Sequence, residues 1–335
     1  MKFLICGLGS IGQRHYRNLK LLGQKDIIVF RTGKGQHDFI AEFISEFKPV
    51  VYTDLKTALS QKPCAVFVTN PTSQHLAVAL RAAKAGSHLF IEKPLAHKLT
   101  GLGSLLSEIK RRNLVSYVAY NLRFHPLLAE VKEWLDNAQE FGRAVSVHAS
   151  LGELVIDWHP WEDYRRSYAC RKDLGGGVVL TQSHEIDYLR WLFGPIVSVN
   201  AVGGKLSDLD IDVDDVAKVL FKFKSGAVGS LDIDYLRRPP RRELEVITTK
   251  GVISWDYFGG RAEFKPISVG DNGIVITEPD GFERNTMYLL ELENFLGCIQ
   301  KNKQPQNSLD EGVDVLKIIL AVKKSMIANG RTVMV

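Results

Sequence analysis

The sequence predicts an α/β protein with a doubly wound parallel sheet at the front and a second domain built mostly of strands behind it. Three features carry that reading. Short continuous apolar runs alternate with helical periods through the first third, the pattern of strands covered on both faces. A Gly7-x-Gly9-x-x-Gly12 sequence stands directly between the first run and the first helix. From Ile196 to about Ile276, strand patterns follow one another, with turns at Ser225-Gly226 and Lys250-Gly251, as in an antiparallel or mixed sheet.

The elements follow in order. Phe3 to Cys6 is a strand, and Ile11 to Leu22 is a helix stopped by Gly23. Ile27 to Phe30 is the second strand, followed by a helical recurrence of Phe39, Ile40, Phe43, Ile44 and Phe47. Val50 to Tyr52 is the third strand, and Asp54 can cap a short helix after it. Cys64 to Val68, His88 to Ile91 and Val115 to Tyr120 are three more strands, with helices at Leu76 to Ala85 and Leu102 to Lys110 between them. Right-handed crossovers make this a doubly wound domain. Beyond residue 121, Pro126 opens a helix to about Asp136, and Val145, Val147, Ala149 and Leu151 alternate as in a half-buried strand. Gly175-Gly176-Gly177 leads into one helix ending at Gly194-Pro195. Helices at Met287 to Gln300 and Leu309 to Ala328 precede a last strand, Thr332 to Val335.

Composition bounds the function. The 335 residues correspond to about two domains. A balance of 43 Lys+Arg against 38 Asp+Glu leaves +5, too little for a nucleic-acid binder. Cys6, Cys64, Cys170 and Cys298 form no CxxC pair; they read as buried thiols rather than a disulfide scaffold or zinc knuckle. The glycine-broken start does not suit a signal peptide, and no apolar run reaches the ~18 residues of a membrane span. A soluble, cytoplasmic protein is the expectation.

The glycine motif points to a dinucleotide. Gly7 permits the tight turn, Gly9 lets backbone approach a pyrophosphate, and Gly12 lets helix pack on strand. Ser10 and Ile11 lie at the helix N-terminus, whose N–H groups and dipole suit phosphate. The second strand ends at Phe30-Arg31-Thr32-Gly33-Lys34, where an NAD site usually has Asp or Glu. Arg31, with Thr32 and Lys34 beside it, suits a 2′-phosphate, so NADP(H) is favoured over NAD(H); the other reading of Arg31 is stacking or simple exposure.

Further segments occur in a telling order. They are Thr69-Asn70-Pro71 with His75, Glu92-Lys93-Pro94-Leu95-Ala96, Asn121-Leu122-Arg123-Phe124-His125-Pro126, and Gly175-Gly176-Gly177 leading to Ser183-His184-Glu185-Ile186-Asp187. With Gly7 to Gly12, they make the chain resemble the Gfo/Idh/MocA oxidoreductases over nearly its whole length. The resemblance implies a Rossmann domain, here 1–121, and a C-terminal α/β domain with a large open, mostly antiparallel sheet, here 122–335, that binds substrate and forms homodimers or homotetramers. It implies hydride transfer between a nicotinamide and a secondary carbinol carbon of a sugar or nucleotide sugar, with Lys93 and His184 catalytic. The chemistry agrees: a base must take the hydroxyl proton, and a cation can stabilise the carbinol oxygen. Thr69, Asn70, Pro71, His75, Glu92 and Lys93 then join the cofactor site, although Asn70 to Ser73 equally suit a helix cap. Many relatives carry Asp where this chain has Thr181, so Asp187, one turn past His184, is the candidate to orient the imidazole; otherwise it is a structural acid. Two rival activities are an NAD-dependent glycoside hydrolase on the same fold and a dinucleotide sensor without catalysis.

Other residues carry two readings. Asn121 and Arg123 suit either a substrate cleft or structure. Trp158 and Arg165, in a segment rich in Trp, Tyr and Arg, either grip a sugar ring and an acidic group or pack on the sheet. His15 reads as packed. Arg237 to Arg242 and the acids Asp208, Asp210, Asp212, Asp214 and Asp215 read as solvated connections, and the acids lack the spacing of a calcium loop.

Overall fold

The computed structural model describes residues 1–33, 38–268, 270 and 272–335, with Asp38 as backbone alone. Along the front of the chain run β1 (Lys2–Cys6), α1 (Ser10–Leu21), β2 (Asp26–Phe30), α2 (Asp38–Phe47), β3 (Val50–Tyr52) and α3 (Leu55–Ser60). They continue as β4 (Ala65–Val68), α4 (His75–Lys84), β5 (His88–Ile91), α5 (Leu102–Arg112) and β6 (Ser116–Val118). The six strands pair in the order β3-β2-β1-β4-β5-β6, all parallel. The order reverses between β1 and β4, so the carboxyl ends of these two strands flank the crevice where such sheets bind ligands. Every residue of β4 is buried, which is why its sequence is an unbroken apolar run. Asp54 caps α3 as expected, its carboxylate accepting the Thr57 N–H at 2.7 Å.

The chain continues through α6 (Pro126–Asp136), α7 (Ala138–Phe141), β7 (Ala144–Gly152), α8 (Val178–Thr181) and α9 (His184–Phe193). Then come β8 (Ile196–Gly204), β9 (Val216–Phe223), β10 (Val228–Asp234), β11 (Arg241–Thr248), β12 (Gly251–Asp256), β13 (Arg261–Pro266) and β14 (Ile274–Thr277). It closes with α10 (Arg284–Lys301), α11 (Leu309–Ile327) and β15 (Val333–Met334). The second sheet has nine strands in the order β14-β13-β12-β11-β7-β10-β9-β8-β15. Only the β7–β10 pairing is parallel; the others are antiparallel. Strict alternation of buried and unburied residues along β10 and β12 marks a sheet with one covered and one open face.

Two compact units result: Met1–Tyr120 with Arg284–Asp314, and Asn121–Glu283 with Val315–Val335. Residues 284–314 thus pack with the first unit. The reason is aromatic: Phe295 of α10 meets the rings of Phe67 and Phe90 edge-on at 5.9 and 5.3 Å.

Three sequence expectations are corrected. The single helix after the triple glycine is two, α8 and α9, held by partners distant in sequence: Asp214 caps the start of α8, accepting Val178 N–H (2.8 Å) and Val179 N–H (3.0 Å), and the Gln182 amide at its end donates to Asp234 O at 3.3 Å. The acidic run is not a solvated loop throughout. Asp215 is fully buried, accepting from Leu206 N–H, Ser207 N–H and Ser207 O–H, and Asp212 accepts Lys172 N–H. Likewise the arginine cluster is engaged: Arg238 pairs with Asp157, Arg241 with Glu243, and the buried Arg242 with Glu185.

Candidate active site

In the first unit, the glycine loop does what its sequence requires. Gly7 has φ +107°, in the left-handed region, and a Cβ there would lie 2.9 Å from Asn70 N. A Cβ at Gly12 would lie 2.2 Å from Gly7 O, so α1 can close on β1 only without a side chain. At Gly9 a Cβ would meet nothing within 4 Å: the space over the start of α1 is open. Gly9, at the N-cap, brings no side chain of its own, and no acid stands in the first turn of α1, so the N–H groups and positive dipole end there suit an anion. Thr69, at the end of β4, donates its hydroxyl to Gly7 O at 2.8 Å and fixes the loop from the side. The Asn70 amide is buried with neither its oxygen nor its nitrogen hydrogen-bonded, a cost that a bound polar group would relieve. The open cradle and the unsatisfied Asn70 fit a dinucleotide. Ser10 is exposed, and Ile11, Arg31 and Pro71 are half-buried, while Thr32 is exposed; the Arg31 N–H is held by Tyr52 O at 3.1 Å. Lys34 lies outside the described residues.

The loop after β5 is tied down by buried polar contacts. The His75 ring sits between two carbonyls, with Nε2 2.7 Å from Asn70 O and Nδ1 3.0 Å from Pro94 O. Burial pushes its pKa down. It therefore braces the β4 and β5 loops against each other rather than offering a free imidazole. Glu92 is 8% exposed. Its carboxylate accepts from His15 Nε2 at 2.7 Å and from the Lys93 N–H at 3.2 Å. From Leu89 to Ala96 every residue but Lys93 is buried.

The second unit repeats that pattern. From Gly175 to Leu189 every residue is buried except His184, the first residue of α9. The triple glycine permits this close packing: a Cβ at Gly176 would lie 2.4 Å from Tyr168 O, and one at Gly177, where φ is +110°, 2.5 Å from Asp214 Oδ1. Two buried ion pairs anchor α9 on either side of His184. Glu185 Oε1 accepts from Arg242 Nε at 2.9 Å. Asp187 accepts a bidentate pair from Arg123, Nε to Oδ2 at 2.9 Å and Nη2 to Oδ1 at 2.6 Å, with both side chains under 5% exposed. Burial pushes the Glu185 pKa up, against the pull of Arg242. Arg123, which suits either a substrate cleft or structure, and Asp187, the candidate to orient the imidazole, thus pair with each other. Asn121 is buried nearby in sequence. Thr181 is buried.

The aromatic loop divides. Trp158 packs edge-on to Tyr235 with ring centroids 5.3 Å apart, whereas Trp161 is 61% exposed. The Arg165 guanidinium is held by Asp163 and Asp210. Among the described residues, no group of three or more His, Cys, Asp or Glu side chains is placed to hold a metal ion. Sequence reasoning missed the His15–Glu92 and Arg242–Glu185 pairs, because partners 77 and 57 residues apart leave no periodic signal.

Comparison with known proteins agrees with this geometry. Residues 1–120 match the model of an oxidoreductase family with an NAD-binding Rossmann fold, and residues 128–254 match the GFO/IDH/MocA C-terminal domain. Myo-inositol 2-dehydrogenase of Thermotoga maritima is 28% identical, over 97% of this chain and 96% of its own. A levoglucosan dehydrogenase solved with NADH and levoglucosan superimposes with a TM-score of 0.87 at 22% identity, covering 100% of this chain and 99% of its own. UDP-N-acetylglucosamine 3-dehydrogenase from Acidithiobacillus ferrooxidans superimposes at 0.79 with 22% identity, covering 98% of both chains. An open dinucleotide cradle, a six-stranded switch-point sheet and a nine-stranded second sheet, matched by models of both domains, make this chain a member of the Gfo/Idh/MocA family, an NAD(P)-dependent dehydrogenase.

Proposed function

We propose that this dehydrogenase oxidises or reduces a secondary carbinol carbon of a sugar or nucleotide sugar, with Lys93 and His184 managing the proton. The observation that carries the assignment is selective exposure: each is the one unburied residue of an otherwise buried segment. An ionisable side chain left only half-buried while its neighbours are sealed supports a role toward a ligand. The bound nicotinamide supplies the hydride acceptor or donor. Lys93, fixed at the carboxyl end of β5, donates to the carbinol oxygen and stabilises negative charge there. His184 takes the hydroxyl proton in oxidation and returns it in reduction. Relatives named for inositol, levoglucosan and a nucleotide sugar support a polyhydroxylated ring as substrate. Trp161 and Arg165, both exposed, are the loop groups we assign to contacting it.

Lys93→Ala and His184→Ala should each lower kcat by about 10²–10⁴-fold while leaving cofactor affinity within about twofold of wild type. Full turnover in either variant, followed by absorbance of the reduced nicotinamide against a panel of cyclitols, sugars and nucleotide sugars, would overturn the assignment. We further assign NADP(H) as the preferred cofactor, because β2 ends in Arg31 rather than an acid. Titration with NADPH and NADH, read by energy transfer from protein to nicotinamide, tests this; tighter NADH binding refutes it. The chain is also assigned as a homo-oligomer through the open face of the nine-stranded sheet, where Leu220, Val228 and Ile247 are 60%, 53% and 48% exposed.

A further inference from the structure

We infer that His15 is a positioning residue for the Lys93 loop, acting through Glu92; the inference rests on the reading of Lys93 as a proton-handling residue. Four observations within the first unit carry it. His15 is fully buried on α1. Its Nε2 donates to Glu92 Oε1 at 2.7 Å, short enough for a charge-assisted bond. The other oxygen of the same carboxylate accepts the backbone N–H of Lys93 at 3.2 Å. Finally, the imidazole is wedged among the rings of Phe67, Phe90 and Tyr288, at centroid distances of 5.6, 4.9 and 6.3 Å.

The chain of contacts runs from a rigid core to one reactive residue. The aromatic rings fix the imidazole, the imidazole fixes one carboxylate oxygen, and the other oxygen fixes the peptide of Lys93. Because Gly9 is the N-cap of α1, the helix under the dinucleotide cradle also carries the group that braces the Lys93 turn. A carboxylate buried to this degree needs its donor. Without His15, the Glu92 carboxylate has one bond fewer, so less of its negative charge is offset beside Lys93, which favours the ammonium. The titratable groups that face the pair are His75 on α4 and Tyr288 on α10, and Tyr288 in turn lies among Arg14 of α1 and Arg284 and Glu291 of α10.

The test uses the full-length enzyme and a substrate from the panel above. His15→Leu should lower kcat by about 10²-fold, the scale of a small misplacement of a reacting group, with substrate KM changed far less. The limb of the kcat/KM pH profile assigned to Lys93 should move to higher pH by about one unit. His15→Gln, which keeps a donor in the same direction, should restore most of kcat and return the limb. Glu92→Gln, which preserves shape and removes the charge, should move the limb to lower pH, and it keeps the inference testable if His15→Leu does not fold. If Lys93→Ala is inactive while His15→Leu and Glu92→Gln keep wild-type kcat and pH profile, the positioning role is overturned and the reading of Lys93 stands. Full activity in Lys93→Ala overturns both.

Discussion

Replacing Gly9 by alanine separates the ligand cradle from the frame that supports it. Gly9 has φ −69° and ψ −175°, an extended conformation open to any residue, and its Cβ would meet nothing within 4 Å. The folded chain therefore accepts the methyl. The reduced freedom of the unfolded chain should stabilise the variant by about 0.4–1 kcal/mol. The ligand would not accept it. An N–H to phosphate bond closes at about 2.9 Å, while a methyl keeps its neighbours near 3.5–4 Å. Loss of one charge-assisted bond at about 1.5–3 kcal/mol weakens dinucleotide binding by roughly 10–150-fold. Gly12→Ala is the counterpart. Its Cβ would lie 2.2 Å from Gly7 O and 2.9 Å from Thr69 Oγ1, and overpacking at about 1–3 kcal/mol exceeds the ~1 kcal/mol that alanine gains over glycine in a helix. Urea unfolding and NADH titration of both variants make the assay. Gly9→Ala should be stable and bind poorly; Gly12→Ala should lose stability and binding together. Wild-type affinity in Gly9→Ala would refute the placement of the pyrophosphate over α1.

Arg123→Ala strands Asp187 in a site that leaves its side chain 1% exposed, so it should cost about 3–5 kcal/mol, read as a lower urea midpoint; an unchanged midpoint would show that the pair contributes nothing. Burial, with Arg242 nearby, holds the His125 pKa down at about 4, and burial also lowers that of His75. The folded state therefore binds fewer protons than the unfolded one. The stabilisation is complete above about pH 6.5, the ordinary histidine value, and declines as pH falls toward about 4. Urea midpoints should drop across that window and drop less in His125→Phe; equal slopes would remove His125 from the account. Leu220→Asp, on the open sheet face, should shift the protein to monomers in light scattering at micromolar concentration. A wild-type monomer would refute the interface outright.

Local chemistry made much of the fold legible. The parallel strands read as unbroken apolar runs because both of their faces are covered; Asp54 marked a helix start through a bond within one turn, and Pro126 another through its ring-fixed φ. The glycine loop was legible for the same reason: each constraint acts on neighbours in sequence or on one adjacent strand. What stayed hidden depends on distant partners. The division into α8 and α9 goes with bonds to Asp214 and Asp234, which no helical period reveals. The buried Asp215 looks in sequence like any acid of a solvated run, and the donors folded around it distinguish it. Arg123 and Asp187 have the side chains of a ligand site, yet spend them on each other. Exposure at Lys93 and His184 became visible only once their neighbours were seen to be sealed.

The return of Arg284–Asp314 to the first unit has a consequence for biosynthesis. A ribosome delivers the six parallel strands long before Phe295, the ring that closes over Phe67 and Phe90. Until then that aromatic surface stays open, and a fragment ending at Tyr120 would carry it permanently, as a site for chaperones or for aggregation. The other unit waits in turn for Val333–Met334, which pair with Val199 and Ser198 at the edge of its sheet. Both halves thus need segments beyond residue 283, and a protease cut or premature stop before Arg284 damages the cofactor half and the sheet half together.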